Sequence, residues 1–164
     1  MNNQEDKNMQ KQGGCTCGAV RFSIKQSPMI VHACHCLDCQ KASGAPFVVN
    51  MWIEDEHVEL SGDAPKCFET TGGSGKSVEF YFCEQCGTTV WNRYHAAPLN
   101  TIWLRASCLD ELGDIRPDMH IHTRQMQPWL TLSDGAPQFE GYYDMGTEWP
   151  AESLERFQKV LAAV

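Results

Sequence analysis

Three cysteines within six residues constrain this chain more than any other feature: Cys34-His35-Cys36-Leu37-Asp38-Cys39, spaced C-x-C-x-x-C. Two further pairs stand apart, Cys15-Thr16-Cys17 near the start and Cys83-Glu84-Gln85-Cys86-Gly87 in the middle. The full count is nine, an odd number, so complete pairing into disulfides within the chain is impossible. Zinc held by thiolates takes four ligands in a tetrahedron. The seven clustered sulfurs therefore divide into one complete set of four and one set of three. A complete set braces a fold. A set of three leaves a coordination position open, as a catalytic zinc requires.

Composition and charge narrow the reading further. The formal net charge of -8 argues against a broad basic surface for nucleic acid or anionic membrane. No stretch approaches the roughly twenty apolar residues of a membrane span. Residues 1–12 are polar and lack the apolar segment of a secretory signal, so the expected location is cytoplasmic. Thiols stay reduced there, which favours metal binding over disulfides. The 164 residues are 42% hydrophobic and include five tryptophans, enough for one domain with one core.

Residues 1–12 carry no hydrophobic pattern and read as a disordered tail. At Gly13-Gly14-Cys15-Thr16-Cys17-Gly18 the chain turns, and glycine permits the tight backbone that brings two thiolates onto one ion. Val20, Phe22 and Ile24 alternate with Arg21 and Ser23, which predicts a strand with one buried side. A second strand, 29–33, delivers the chain to Cys34. Cys36 to Ser43 forms a helical turn ended by Gly44, and 47–53 is a third strand. Segments 58–61 and 66–70 flank Gly62-Asp63-Ala64-Pro65 and read as a hairpin. A flexible loop at 71–76 precedes a strand at 77–82 that leads into Cys83. Further strands are expected at 88–92 and 101–105, then a loop from Asp110 to Met119. A short strand at 119–123 carries His120 and His122 on one face. Trp129 to Leu132 is an apolar piece followed by a turn at 133–137. Leu154, Phe157, Val160 and Leu161 recur at helical spacing after Pro150, which predicts a terminal amphipathic helix over 152–164. The reading is a mainly β chain of small antiparallel sheets with zinc knuckles, plus that C-terminal helix. Its divisions are the tail at 1–12, a zinc-binding domain at 13–145 and a helical extension at 146–164.

Cys83-x-x-Cys86-Gly87 has the form of a zinc knuckle, in which glycine accepts the dihedrals that aim backbone N–H groups at sulfur. Cys15 and Cys17 are available to complete its set. An alternative division, Cys34 and Cys36 with Cys83 and Cys86, stays open on spacing alone. Under the first division Cys34, Cys36 and Cys39 form the open set. A zinc on three thiolates carries a formal charge of -1 and suits an incoming thiol, which loses its proton on binding. The competing reading is a structural zinc completed by His35, by another histidine, or by Cys67 or Cys108. His35 is a fourth ligand, an acid–base group or a spacer. His120 and His122 read as a surface or core pair. Cys67 and Cys108 read as isolated buried thiols, and Trp52, Trp91, Trp103, Trp129 and Trp149 as core or pocket wall.

The order of these pieces resembles a known family. Gly14-Cys15-x-Cys17-Gly18-Ala19-Val20-Arg21-Phe22 and Cys34-His35-Cys36-x-x-Cys39-Gln40-Lys41-x-Ser43-Gly44-Ala45-Pro46-Phe47 are similar to the glutathione-dependent formaldehyde-activating enzymes, a family that includes centromere protein V. Ser74-Gly75-Lys76, Phe82-Cys83-x-x-Cys86-Gly87-Thr88, Leu109-Asp110, Pro117-x-x-His120-Ile121 and Trp129-Leu130 agree with it. The resemblance covers roughly 13–142. It implies a β-tent-like fold with two zinc ions, a closed site on Cys15, Cys17, Cys83 and Cys86, and a catalytic one on Cys34, Cys36 and Cys39. It also implies a carbon–sulfur lyase of the S-(hydroxymethyl)glutathione synthase type, with glutathione as thiol substrate. Where members often carry Arg two residues before the Phe-Cys of the second knuckle, this chain has Phe80. The expected partner is a small thiol adduct, and assembly into a homo-oligomer is compatible with the sequence. The alternatives are a lyase for another thioether, or a zinc-stabilised thiol-binding or protein-interaction module without turnover.

Overall fold

The computed structural model describes residues 11–113 and 115–163. Ten strands and three helices follow one another in it. They are β1 (Lys11–Gly14), β2 (Arg21–Ile24), β3 (Ile30–Cys34), α1 (Leu37–Ser43), β4 (Val48–Glu54), β5 (Val58–Leu60), β6 (Lys66–Thr71), β7 (Ser77–Phe82), β8 (Thr89–Tyr94), β9 (Thr101–Arg105), β10 (Met119–Ile121), α2 (Met145–Glu148) and α3 (Ala151–Ala162). The fold is mainly β, as expected. Its main sheet is larger than the sequence pattern implies. Seven strands run in the order β10-β3-β4-β9-β8-β7-β6, and β10 joins β3 in parallel. A separate three-stranded sheet has the order β1-β2-β5.

Two residues of the expected tail belong to a strand. Lys11 and Gln12 already pair with Ile24 and Ser23 of β2, while residues 1–10 lie outside the described residues. Glycine at 13 is required by close approach. A Cβ there would sit 2.4 Å from the Cys108 carbonyl oxygen and 2.6 Å from the Phe22 ring. Flanked by β1 and β5, β2 buries Ser23 as well as Phe22 and Ile24, so the expected polar face is not exposed.

The hairpin expected across Gly62–Pro65 is not formed. β5 pairs with β2 in the small sheet, whereas β6 pairs with β7 at the edge of the large one. The intervening segment is held against the first cysteine loop: Ser61 N–H donates to the Arg21 carbonyl at 2.9 Å and Asp63 N–H to the Ala19 carbonyl at 2.7 Å. The turn residues there serve a crossing between sheets. The hairpin of this region is β6–β7, closed by Gly72 N–H to the Lys76 carbonyl at 2.9 Å.

Both faces of the large sheet are covered at β3 and β9, so every residue of these two strands is buried and simple alternation is lost. One face packs Met51, Ile53, Val90, Ile102 and Leu104 against Phe22 and Ile24 of the small sheet. The other packs Trp52, Trp103, Met119 and Ile121 against Trp149 and the apolar face of α3. Trp52 stacks on Trp103 at 4.3 Å and meets Phe157 and Trp149 edge-on at 5.2 and 5.3 Å. Arg156 of α3 grips Glu54 with two hydrogen bonds of 2.9 and 2.6 Å, and Ser153 Oγ donates to the Met29 carbonyl at 2.6 Å. The C-terminal helix therefore builds one wall of the core instead of trailing from it. Val164, the expected last helical residue, lies outside the described residues, as does Asp114 in the expected loop after Asp110.

Two single-residue expectations fail. Trp129 is 68% exposed, unlike the other four tryptophans, and the expected apolar piece around it forms no strand. Cys67 lies on β6, an edge strand exposed along its whole length, so only Cys108 of the two isolated thiols is buried.

The aromatic seam under α3 predicts a large cost for its central ring. Trp52→Ala should destabilise the protein by about 3–5 kcal/mol, read as a lower urea midpoint at fixed metal concentration. A loss below about 1 kcal/mol would show that α3 docks without that seam.

Two candidate metal centres

The first centre is made by two turns that meet. Cys15 N–H donates to the Val20 carbonyl at 3.0 Å, and Cys83 N–H to the Thr88 carbonyl at 2.9 Å. Each turn has a left-handed glycine just after its second cysteine, Gly18 at φ 82° and Gly87 at φ 72°. Side chains other than glycine rarely adopt that backbone. The Sγ atoms of Cys15, Cys17, Cys83 and Cys86 all lie within 4.8 Å of one another. Cys15 Sγ is 3.5 Å from Cys17 Sγ, which is 3.7 Å from Cys83 Sγ. A disulfide requires about 2.05 Å. A zinc–sulfur bond of about 2.3 Å puts tetrahedral sulfurs about 3.8 Å apart. The observed spacing fits the ion.

Thr88 completes this centre, and its role was not read from the sequence. Its hydroxyl pairs with the Thr16 hydroxyl at 2.9 Å, accepts from Thr16 N–H at 3.3 Å and lies 3.2 Å from Cys86 Sγ. Hydrogen bonds from Thr88 hold the Cys86 thiol down to about 5. Cys17 is pushed the other way, to about 12. The Ala19 N–H favours its thiolate, but sharing hydrogen bonds with Cys15 and burial outweigh that. Four sulfurs this close cannot all ionise unless a cation lies among them.

The second centre explains the C-x-C-x-x-C spacing. Cys34 is the last residue of β3, and Cys36 is the N-cap of α1. Cys39 follows one helical turn later, and its N–H donates to Cys36 Sγ at 3.4 Å. Strand end, cap and first turn thus bring three sulfurs within 4.8 Å of one another. Hydrogen bonds from Cys34 and Cys39 pull the Cys36 thiol far down, and their counterparts, with burial, push Cys34 up. As in the first centre, three thiolates here require a cation. Among the described residues the cluster has three protein ligands. Neither Cys67 nor Cys108 nor any histidine joins it.

His35 stands between two of these cysteines yet belongs to another network. Its ring is fully buried, 5.1 Å from Phe47, and its Nε2 lies 3.0 Å from His120 Nδ1. His120 Nε2 in turn lies 2.8 Å from the Asp134 carboxylate. A carboxylate only accepts, so His120 carries its proton on Nε2 and receives at Nδ1. His35 therefore carries its proton on Nε2, which leaves its Nδ1 as an acceptor. That Nδ1 is buried and has no hydrogen-bond partner. Burial, and then the neighbouring His120 ring, depress the His35 ring to about 4. The expected pairing of His120 with His122 fails. His122 adopts φ 58°, a left-handed conformation that ends the strand.

Helix α1 is also held by Gln40 and Gln125, to which the sequence pattern assigns no role. Gln40 Nε2 donates to the carbonyls of His35 and Gln125 at 2.6 and 2.8 Å, and Leu37 N–H donates to Gln125 Oε1 at 3.0 Å. Asp38 accepts from Gly73 N–H at 2.6 Å, which ties the helix to the β6–β7 hairpin. A polar run in a loop gives no signal of these contacts.

A family model described as glutathione-dependent formaldehyde-activating enzyme matches residues 10–125. The chain belongs to this family. A curated protein of Halomonas elongata, provisionally named as a glutathione-dependent formaldehyde-activating enzyme, is 28% identical over 148 residues, covering 85% of this chain and 94% of that one. The crystal structure of a Rhodobacter sphaeroides protein superposes with a TM-score of 0.50 at 15% identity, covering 78% of this chain and 98% of that one, a likeness of fold alone. The family match spans both cysteine centres.

Metal content tests the division of sulfurs. The zinc-replete protein should hold two ions per chain by elemental analysis. Cys36→Ser should hold one and keep its far-ultraviolet spectrum. Cys86→Ser should lose the other and with it folding free energy on the order of 10 kcal/mol, seen as a collapse of the thermal transition. One ion in the wild type, or unfolding by Cys36→Ser, contradicts the division.

Proposed function

We propose that this chain joins formaldehyde to the thiol of glutathione, and catalyses the reverse cleavage, with Cys34, Cys36 and Cys39 as the working centre. Family membership supports the reaction class. The observation that carries the assignment is the asymmetry of the two clusters: four sulfurs in one, three in the other. A divalent ion such as zinc held by the three sulfurs supplies a Lewis acid that lowers the pKa of an incoming thiol.

The reaction forms one bond between thiol sulfur and formaldehyde carbon. The carbonyl electron pair moves to oxygen, which takes up the proton the thiol gave away, so nothing is oxidised or reduced. The chain has a place to hold that proton in transit. His35 stands between Cys34 and Cys36 in the chain, its buried Nδ1 is an unpartnered acceptor, and His120 with Asp134 keeps its proton on the opposite nitrogen. In this reading His35 is an acid–base group and neither a ligand nor a spacer. The partner is a small thiol adduct and the setting cytoplasmic. No helix among the described residues is long and apolar enough to cross a membrane.

Exchange spectroscopy by NMR on formaldehyde and glutathione tests the proposal. The zinc-loaded protein should accelerate exchange well above the spontaneous rate. His35→Ala should lower the acceleration by about 10²–10⁴-fold with zinc content unchanged. No acceleration by the loaded wild type sinks the assignment and leaves a thiol-binding module without turnover.

A further inference from the structure

A buried guanidinium lies near the second centre without a carboxylate. Arg105 ends β9 and is 5% exposed. An arginine stays charged in any protein setting, so its burial demands a compensating anion. Three other arginines have one: Arg21 pairs with Asp110, Arg93 with Asp55 and Arg156 with Glu54. Arg105 forms no ion pair among the described residues. Its Nη1 donates to Asn50 Oδ1 at 2.5 Å, a neutral acceptor that positions the group without balancing its charge.

Strand register shows where the charge faces. His32 is opposite Asn50, and Asn50 is opposite Arg105. Residues directly opposite share a face, and so do residues two apart on one strand. Cys34, two on from His32, therefore stands on the face that Arg105 occupies.

We propose that Arg105 is the built-in counter-cation of the Cys34–Cys36–Cys39 centre. Three thiolates around a divalent ion sum to one surplus negative charge, and a bound thiolate substrate makes it two. Arg105 offsets the first and lowers the electrostatic penalty of the second. Asn50 is the positioning residue that keeps the guanidinium on that face.

The inference rests on reading this cluster as a metal centre, and the test separates the two. Chelator competition on the full-length, cobalt-loaded chain reads each site by its absorption, with the Cys15–Cys17–Cys83–Cys86 site as internal reference. Arg105→Gln removes the charge and keeps a donor for Asn50. Arg105→Lys keeps the charge and loses the planar fork. The Gln variant should bind the second ion about 10- to 100-fold more weakly, and the Lys variant within about threefold of wild type. Equal weakening in both, or wild-type affinity in Arg105→Gln, overturns the inference while the centre itself stands. A wild type that holds one ion only overturns the metal reading and the inference with it. Should Arg105→Gln also lose the reference site, the Lys variant decides: affinity within threefold supports the counter-charge, and tenfold weakening refutes it.

Discussion

Sulfurs of like charge repel, and this chain places seven of them in two groups, each within 4.8 Å. Everything else in the structure is arranged so that those groups can exist. Within each group hydrogen bonds favour the thiolate of one sulfur, Cys86 or Cys36, and, with burial, disfavour that of a neighbour, Cys17 or Cys34. A divalent ion removes that conflict. Binding energy at the first centre then becomes folding energy, because its ligands come from distant parts of the chain. Cys17 and Cys83 are 66 residues apart, and an ion held between them would also join the small sheet to the large one.

The second centre is local, and that difference divides the roles. Its three sulfurs come from six consecutive residues at a strand-to-helix junction, so an ion there closes no long loop. Its rigidity is supplied from outside, by Gln40, Gln125, Gly73 and the β10 strand alongside β3. A site shaped by its surroundings keeps its geometry when a ligand position is vacant. The same surroundings bury His35, whose Nδ1 has no hydrogen-bond partner, and Arg105, whose guanidinium meets the neutral Asn50.

Several elements could be read from residues alone because their causes are local. The helix from Leu37 to Ser43 has a cysteine cap at one end and a left-handed Gly44 at the other. The knuckle at Cys83 is a short hydrogen-bonded turn. The C-terminal helix carries its own apolar stripe. Errors arose where the partner was remote. The segments around Gly62–Pro65 have hairpin chemistry, yet each finds a better partner in a different sheet. The alternation at Arg21–Ile24 looked one-sided until two neighbouring strands covered it. The pair His120 and His122 was separated by one backbone dihedral.

The amino-acid sequence by itself determined the chemistry available: which cysteines offer thiolates, how many, and which turns present them, because thiolate chemistry and glycine conformation depend on near neighbours. Tertiary structure alone decided which cysteines lie within reach of one ion, that His35 meets His120, and that the buried Arg105 shares a sheet face with Cys34. Those outcomes are fixed by strand register and sheet order, which bring together residues up to 85 positions apart.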